Sequence, residues 1–219
     1  EMPLMLVENQ QYIHYNKGSV VMYALQDFLG EETLNGAIRT YLNKTKFSGP
    51  PYTNARDFVE HIRAVTPDSL QYLVTDLFER ITIYENYVKS LDYKRLPDSS
   101  YQVTLTVGSA KFYSDSLGKQ RKAEVNDYMD VAVFAQEKTG DKEREVPLLM
   151  QRVKMDKPEK TFTWNVKALP HSAGIDPYLK LIDRTPANNS YDFGEKPVVP
   201  DLKPGGGMPA FLMKMGAKE

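Results

Sequence analysis

Near residue 81 the spacing of apolar residues switches from the helical period to the strand period, and that switch divides the chain into two parts of different kind. Before it, Lys17 to Leu29 carries Val21, Leu25 and Phe28 on one face, with Gly30 as a C-terminal stop. Glu31 to Asn43 places Leu34, Ala37, Ile38, Tyr41 and Leu42 in one apolar stripe, and Glu31 and Glu32 complement the dipole of its first turn. Gly49-Pro50-Pro51 breaks the chain, after which Thr53 or Asn54 caps a third helix bearing Phe58, Ile62 and Val65. Thr66-Pro67-Asp68 opens a fourth, with Leu70, Leu73, Val74, Leu77 and Phe78 on one face. Four helices on short turns predict an antiparallel array.

Beyond the switch, Tyr101 to Val107 alternates and is rich in β-branched residues. Tyr84–Leu91, Tyr128–Ala135, Val146–Val153, Thr161–Val166 and Tyr178–Ile182 read as further strands, with a turn at Thr139-Gly140-Asp141. Short strands punctuated by turns predict an immunoglobulin-like β-sandwich. The fold class is therefore α+β: a helical subdomain over residues 1–82, a sandwich over 83–190, and an irregular Pro/Gly-rich tail over 191–219. Ala210 to Met215, in that tail, are expected to dock on something.

Charge and composition exclude several roles. Lys plus Arg (28) nearly balance Asp plus Glu (29), whereas a nucleic-acid footprint needs concentrated positive charge. No apolar run approaches the roughly 20 residues that cross a bilayer. With no cysteine there is no disulfide, thiolate metal site or thiol nucleophile. Glu1 to Val7 lacks the features of a signal peptide, and the chain reads as cut from something longer.

The histidines His14, His61 and His171 form no zincin motif, since none is followed by Glu with a second His four positions on. His61 and His171 read as surface or loop residues. There is no P-loop, dinucleotide fingerprint or nucleophile elbow. Glu79, Glu85, Asp92, Asp127 and Asp130 have no partner along the chain and read as a solvated surface.

Gln11-Tyr12-Ile13-His14-Tyr15-Asn16-Lys17-Gly18, followed by Leu29-Gly30, resembles a stretch of the aminopeptidase N family of gluzincin zinc metallopeptidases. In that family a Tyr-x-Lys-Gly element precedes a helix ending in Leu-Gly, and its tyrosine stabilises the oxyanion of the tetrahedral intermediate. The resemblance places this role on Tyr15, with Lys17 and Gly18 starting the helix and letting the backbone pack behind the tyrosine. A phenol is a neutral donor near pH 7, and removing one such oxyanion donor costs about 10²–10³ in rate.

The likeness extends through Pro51-Tyr52-Thr53, Asp76-Leu77-Phe78-Glu79 and Ala173-Gly174-Ile175-Asp176-Pro177-Tyr178. It is greatest to bacterial proteins that join such a domain to an ABC-type permease. It implies a membrane-anchored parent with this domain outside the bilayer, a peptide substrate, and zinc held by the parent. The zinc ligands and the glutamate base lie outside this chain, so the chain alone is expected to hold no tight zinc and to lack peptidase activity. The other expectation is a non-catalytic binding or assembly module of a membrane transporter.

Overall fold

The computed structural model describes residues 1–140 and 142–205. A π-helical segment, Tyr12–Lys17, runs directly into α1 (Gly18–Leu29), so the helix begins five residues earlier than the apolar pattern suggests. Gly30 stops it at φ 86°, a conformation costly for a residue with a Cβ. Helix α2 (Glu31–Thr45) follows at once. Asn54, rather than Thr53, caps α3 (Ala55–Val65): its Oδ1 accepts from Arg56 N at 2.9 Å, and Asp57 Oδ2 accepts from Asn54 N at 3.0 Å. This reciprocal pair satisfies donors that the first turn leaves free. The fourth helical stretch is composite, with 3₁₀ turn Asp68–Leu70, α4 (Gln71–Val74) and a π turn Thr75–Glu79.

The inward stripes meet in one helical core that includes Val21, Leu25, Leu34, Ile62, Leu73 and Phe78, all buried. Each such side chain taken from water contributes about 1.5–3 kcal/mol. Leu42, expected on the α2 stripe, is exposed; the helix outruns the surface it covers.

Among the described residues eight strands follow: β1 (Ile81–Arg95), β2 (Tyr101–Ser114), β3 (Gln120–Ala123), β4 (Asp127–Thr139), β5 (Lys142–Met155), β6 (Glu159–Val166), β7 (Ser172–Ile175) and β8 (Ser190–Asp192). One sheet has β1 on one side of β2 and β3 and β6 on the other; the second has the order β5-β4-β7-β8, and all pairings between strands are antiparallel. Strand β6 leaves the β4–β5 hairpin to pair with β2, as chains cross between the sheets of an immunoglobulin-like sandwich. Val103, Leu105 and Val107 of one sheet face Met129, Val131 and Val133 of the other in a dry core. The α+β class and its sandwich are thus as expected from the two periods.

The expected strand Tyr178–Ile182 is a correction. Asp176 (φ 45°) and Leu179 (φ 52°) turn the chain there, and the Asp176 carboxylate accepts the N–H groups of Lys180 and Leu181, each at 3.0 Å. Leu181 and Ile182 are apolar because the turn packs into the sandwich, not because they extend. The real strand is β7, a four-residue run buried on both faces that shows no alternation. Within it, a Cβ added to Gly174 would stand 2.3 Å from the backbone oxygen of Asn189 and 2.0 Å from Ser190 Oγ. We expect Gly174→Ala to lower unfolding free energy by about 3 kcal/mol, the upper part of the overpacking range, read from urea midpoints. An unchanged midpoint would contradict this close packing.

Strand β8 extends the sandwich into residues 191 and 192, and the segment after it stays pinned to the sandwich: Val198 N donates to Tyr191 Oη at 3.3 Å and Gly205 N to Gln120 Oε1 at 3.2 Å. The apolar run 210–215 lies outside the described residues. Among the described residues no helix is long and apolar enough to cross a membrane.

Candidate functional site

Tyr15 lies on the π-helical segment. There the Gly18 N–H reaches back five residues to the Ile13 carbonyl, which rotates the helix face relative to a regular turn. Ile13 and Lys17 consequently point inward and are buried, while His14 and Tyr15 point out. Tyr15 is 66% exposed, and its hydroxyl makes no hydrogen bond among the described residues. The centres of the His14 and Tyr15 rings stand 4.6 Å apart, with the rings tilted by 50°. Further along the same helix Tyr23 is also exposed and, with Gln26, Asp27 and Glu31, lines a shallow depression.

Lys17 and Gly18 stand at the junction where the π-helical segment passes into α1. Lys17 sits mid-helix, 2% exposed, with Nζ 2.9 Å from Glu1 Oε1. A Cβ on Gly18 would meet only ordinary contacts, 3.7 Å from Ile13 O, so close packing does not demand glycine there.

Behind this face, two ionic networks join the helices to the sandwich. Reading Asp127, Asp130 and Glu85 as solvated surface is wrong: all three are buried. In the first network Lys111 of β2, itself 4% exposed, donates to Asp76 Oδ2 at 3.1 Å and to Asp127 Oδ1 at 2.9 Å. Tyr113 Oη donates to the other Asp76 oxygen at 3.0 Å, and Tyr128 N donates to Tyr72 Oη at 2.7 Å. Burial works against the Lys111 cation, but the two carboxylates outweigh it and hold its pKa above the ordinary value. One lysine cannot compensate two buried acids, so burial still pushes Asp127 up.

In the second network Arg152 Nε donates to Asp130 Oδ1 at 2.9 Å and Lys180 Nζ to Asp130 Oδ2 at 2.6 Å. Both cations also reach Asp27 of α1, Lys180 at 2.7 Å, and the Arg152 guanidinium lies 4.0 Å from the centre of the Phe28 ring. Burial would raise Asp130, yet its two cations hold it below the usual carboxylate range.

A third buried group holds the 176–189 segment against β1. Asp183 accepts from Asn86 N at 2.8 Å and Thr185 N at 2.7 Å, and Asn188 Nδ2 donates to Glu85 Oε1 at 3.2 Å. Burial pushes Asp183 up to about 8 and Asp176 up to about 7, against the N–H groups that favour their anions. Unfolded aspartate titrates near 3.9. Between about pH 4 and 8 the folded chain therefore keeps protons that the unfolded chain releases, and stability from these groups declines as pH rises. The urea midpoint should be lower at pH 8.5 than at pH 5.5; a higher midpoint at pH 8.5 would overturn the assignment.

Among the described residues, the only group of three side chains able to converge on a metal is Glu145, His171 and Asp192, all on the sandwich. No residue near Tyr15 belongs to it. His61 is half-buried, with Nδ1 2.6 Å from the Asp57 carbonyl oxygen. No protein-family model matches this chain, and no curated protein matches it.

Proposed function

We propose that this chain is the C-terminal part of a zinc-dependent metallopeptidase of the aminopeptidase type, and that Tyr15 is its oxyanion donor. One observation carries the reading. The Tyr15-x-Lys17-Gly18 element folds as a π-helical turn that buries Lys17 and leaves the Tyr15 hydroxyl projecting, with no hydrogen-bond partner among the described residues. Such turns recur at functional sites. In the assembled parent the exposed face of this helix forms one wall of the cleft. As water adds to the peptide carbonyl, charge grows on its oxygen, and a neutral phenol O–H already in place stabilises that charge without reorganisation. The zinc ligands and the general base would come from residues outside this chain.

The sandwich serves as a rigid spacer. Its weld to the helices through Lys111 and through Asp27–Arg152 supports this, because a wall that rocked by an ångström would misplace the donor. The same rigidity favours the second reading, a non-catalytic assembly module of a transporter whose parent is joined to an ABC-type permease. Hydrolysis of aminoacyl fluorogenic substrates by the zinc-loaded parent separates the two: turnover supports the peptidase, and a folded, zinc-loaded parent that cleaves nothing supports the module. The isolated chain should cleave nothing.

A further inference from the structure

Three strands bring together metal-ligating side chains that lie far apart in sequence. Glu145 is on β5, His171 immediately precedes β7, and Asp192 ends β8. One ligand atom from each lies within 4.8 Å of the others, and His171 Nε2 stands 3.5 Å from Asp192 Oδ1. Their backbones are fixed by the sheet: His171 N donates to Phe134 O and Phe193 N to His171 O, each at 2.8 Å. The Ser172 hydroxyl donates to Glu145 Oε1, orienting that carboxylate as outer partners orient metal ligands. His171 and Asp192 are 31% and 53% exposed, which leaves room for water to complete a coordination shell.

We propose that Glu145, His171 and Asp192 bind a divalent ion of the zinc class and that the bound ion clamps the edge strand β8 to the rest of its sheet. One imidazole with two carboxylates suits zinc, whereas magnesium and calcium take all-oxygen sets. The two carboxylates balance the ion's charge. Zinc holds N and O ligands at about 2.0–2.2 Å, so ligand atoms around one ion stand about 3.4 Å apart. The His171–Asp192 pair is already at that spacing, and Glu145 closes the remainder by a side-chain rotation. In the order β5-β4-β7-β8, Glu145 and Asp192 belong to opposite edge strands, so the ion ties the two edges across β4 and β7. This site is separate from Tyr15, and it departs from the expectation that the chain binds no zinc.

The test is calorimetric titration of Zn²⁺ into the untagged chain, with Mg²⁺ as the control. One equivalent of zinc should bind in the micromolar range and raise the melting temperature, while Mg²⁺ gives neither effect. His171→Ala and Asp192→Asn should each weaken binding by about 10-fold or more, and His61→Ala should leave it unchanged. Two variants at the site keep the test sound if one fails to fold. Absence of zinc binding, binding by both site variants as tight as that of the unaltered chain, or loss on removing His61 would overturn the proposal. Tyr15→Phe should bind zinc as the parent chain does, so failure here leaves the peptidase reading as it stands.

Discussion

Replacing Tyr15 by phenylalanine in the zinc-loaded parent is expected to lower kcat by about 10²–10³, or roughly 3–4 kcal/mol of transition-state stabilisation. The change removes one hydroxyl. Because that hydroxyl is exposed and has no partner among the described residues, folding should be untouched and the urea midpoint unchanged. KM should move little, since the hydrogen bond strengthens only as the carbonyl oxygen gains charge; kcat and kcat/KM then fall together. A variant with full activity would remove Tyr15 from the chemistry. A fall in kcat matched by a fall in stability would make the residue structural.

The second large effect lies in the weld. Lys111→Met keeps the length of the stem and deletes the only cation that, among the described residues, lies within hydrogen-bond reach of both Asp76 and Asp127, at 3.1 and 2.9 Å, leaving two buried acids facing each other. Breaking a buried pair by removing one partner costs about 3–5 kcal/mol. The urea midpoint at pH 7 should fall accordingly. Burial already raises Asp127, and without the lysine its pKa should rise further. A group whose pKa is raised on folding stabilises the fold below its unfolded pKa and loses that contribution as pH climbs. The deficit of Lys111→Met should therefore shrink as pH falls, and adding Asp127→Asn should restore part of the loss. A cost under about 1 kcal/mol at pH 7 would show that the network is solvated.

These charges are also where sequence reading failed. Asp127 was read as solvated because its partner Lys111 is 16 residues away, and Asp130 because Lys180 is 50 residues away. Nothing in linear order pairs them. A signal was present, however. Lys111 lies in phase with Val103, Leu105 and Val107, and Asp127 with Met129, Val131 and Val133, the inward residues of β2 and β4. A polar residue in phase with a buried stripe marks a site that must find a partner. Strand β7 was missed for a different reason: a four-residue run buried on both faces has no alternation to detect.

The sequence by itself determined that helical stretches come first and the place where they give way to strands. It also determined which apolar residues fill the two cores, because the 3.6- and 2-residue periods are local properties of the backbone. The motif around Tyr15 is what makes it the proposed oxyanion donor. The tertiary structure decided the rest: that Lys17 is buried and Tyr15 exposed, that six acids and two lysines sit inside the junctions, and that Glu145, His171 and Asp192 converge. Those facts depend on contacts between residues tens of positions apart, and such contacts exist only once the chain has closed on itself.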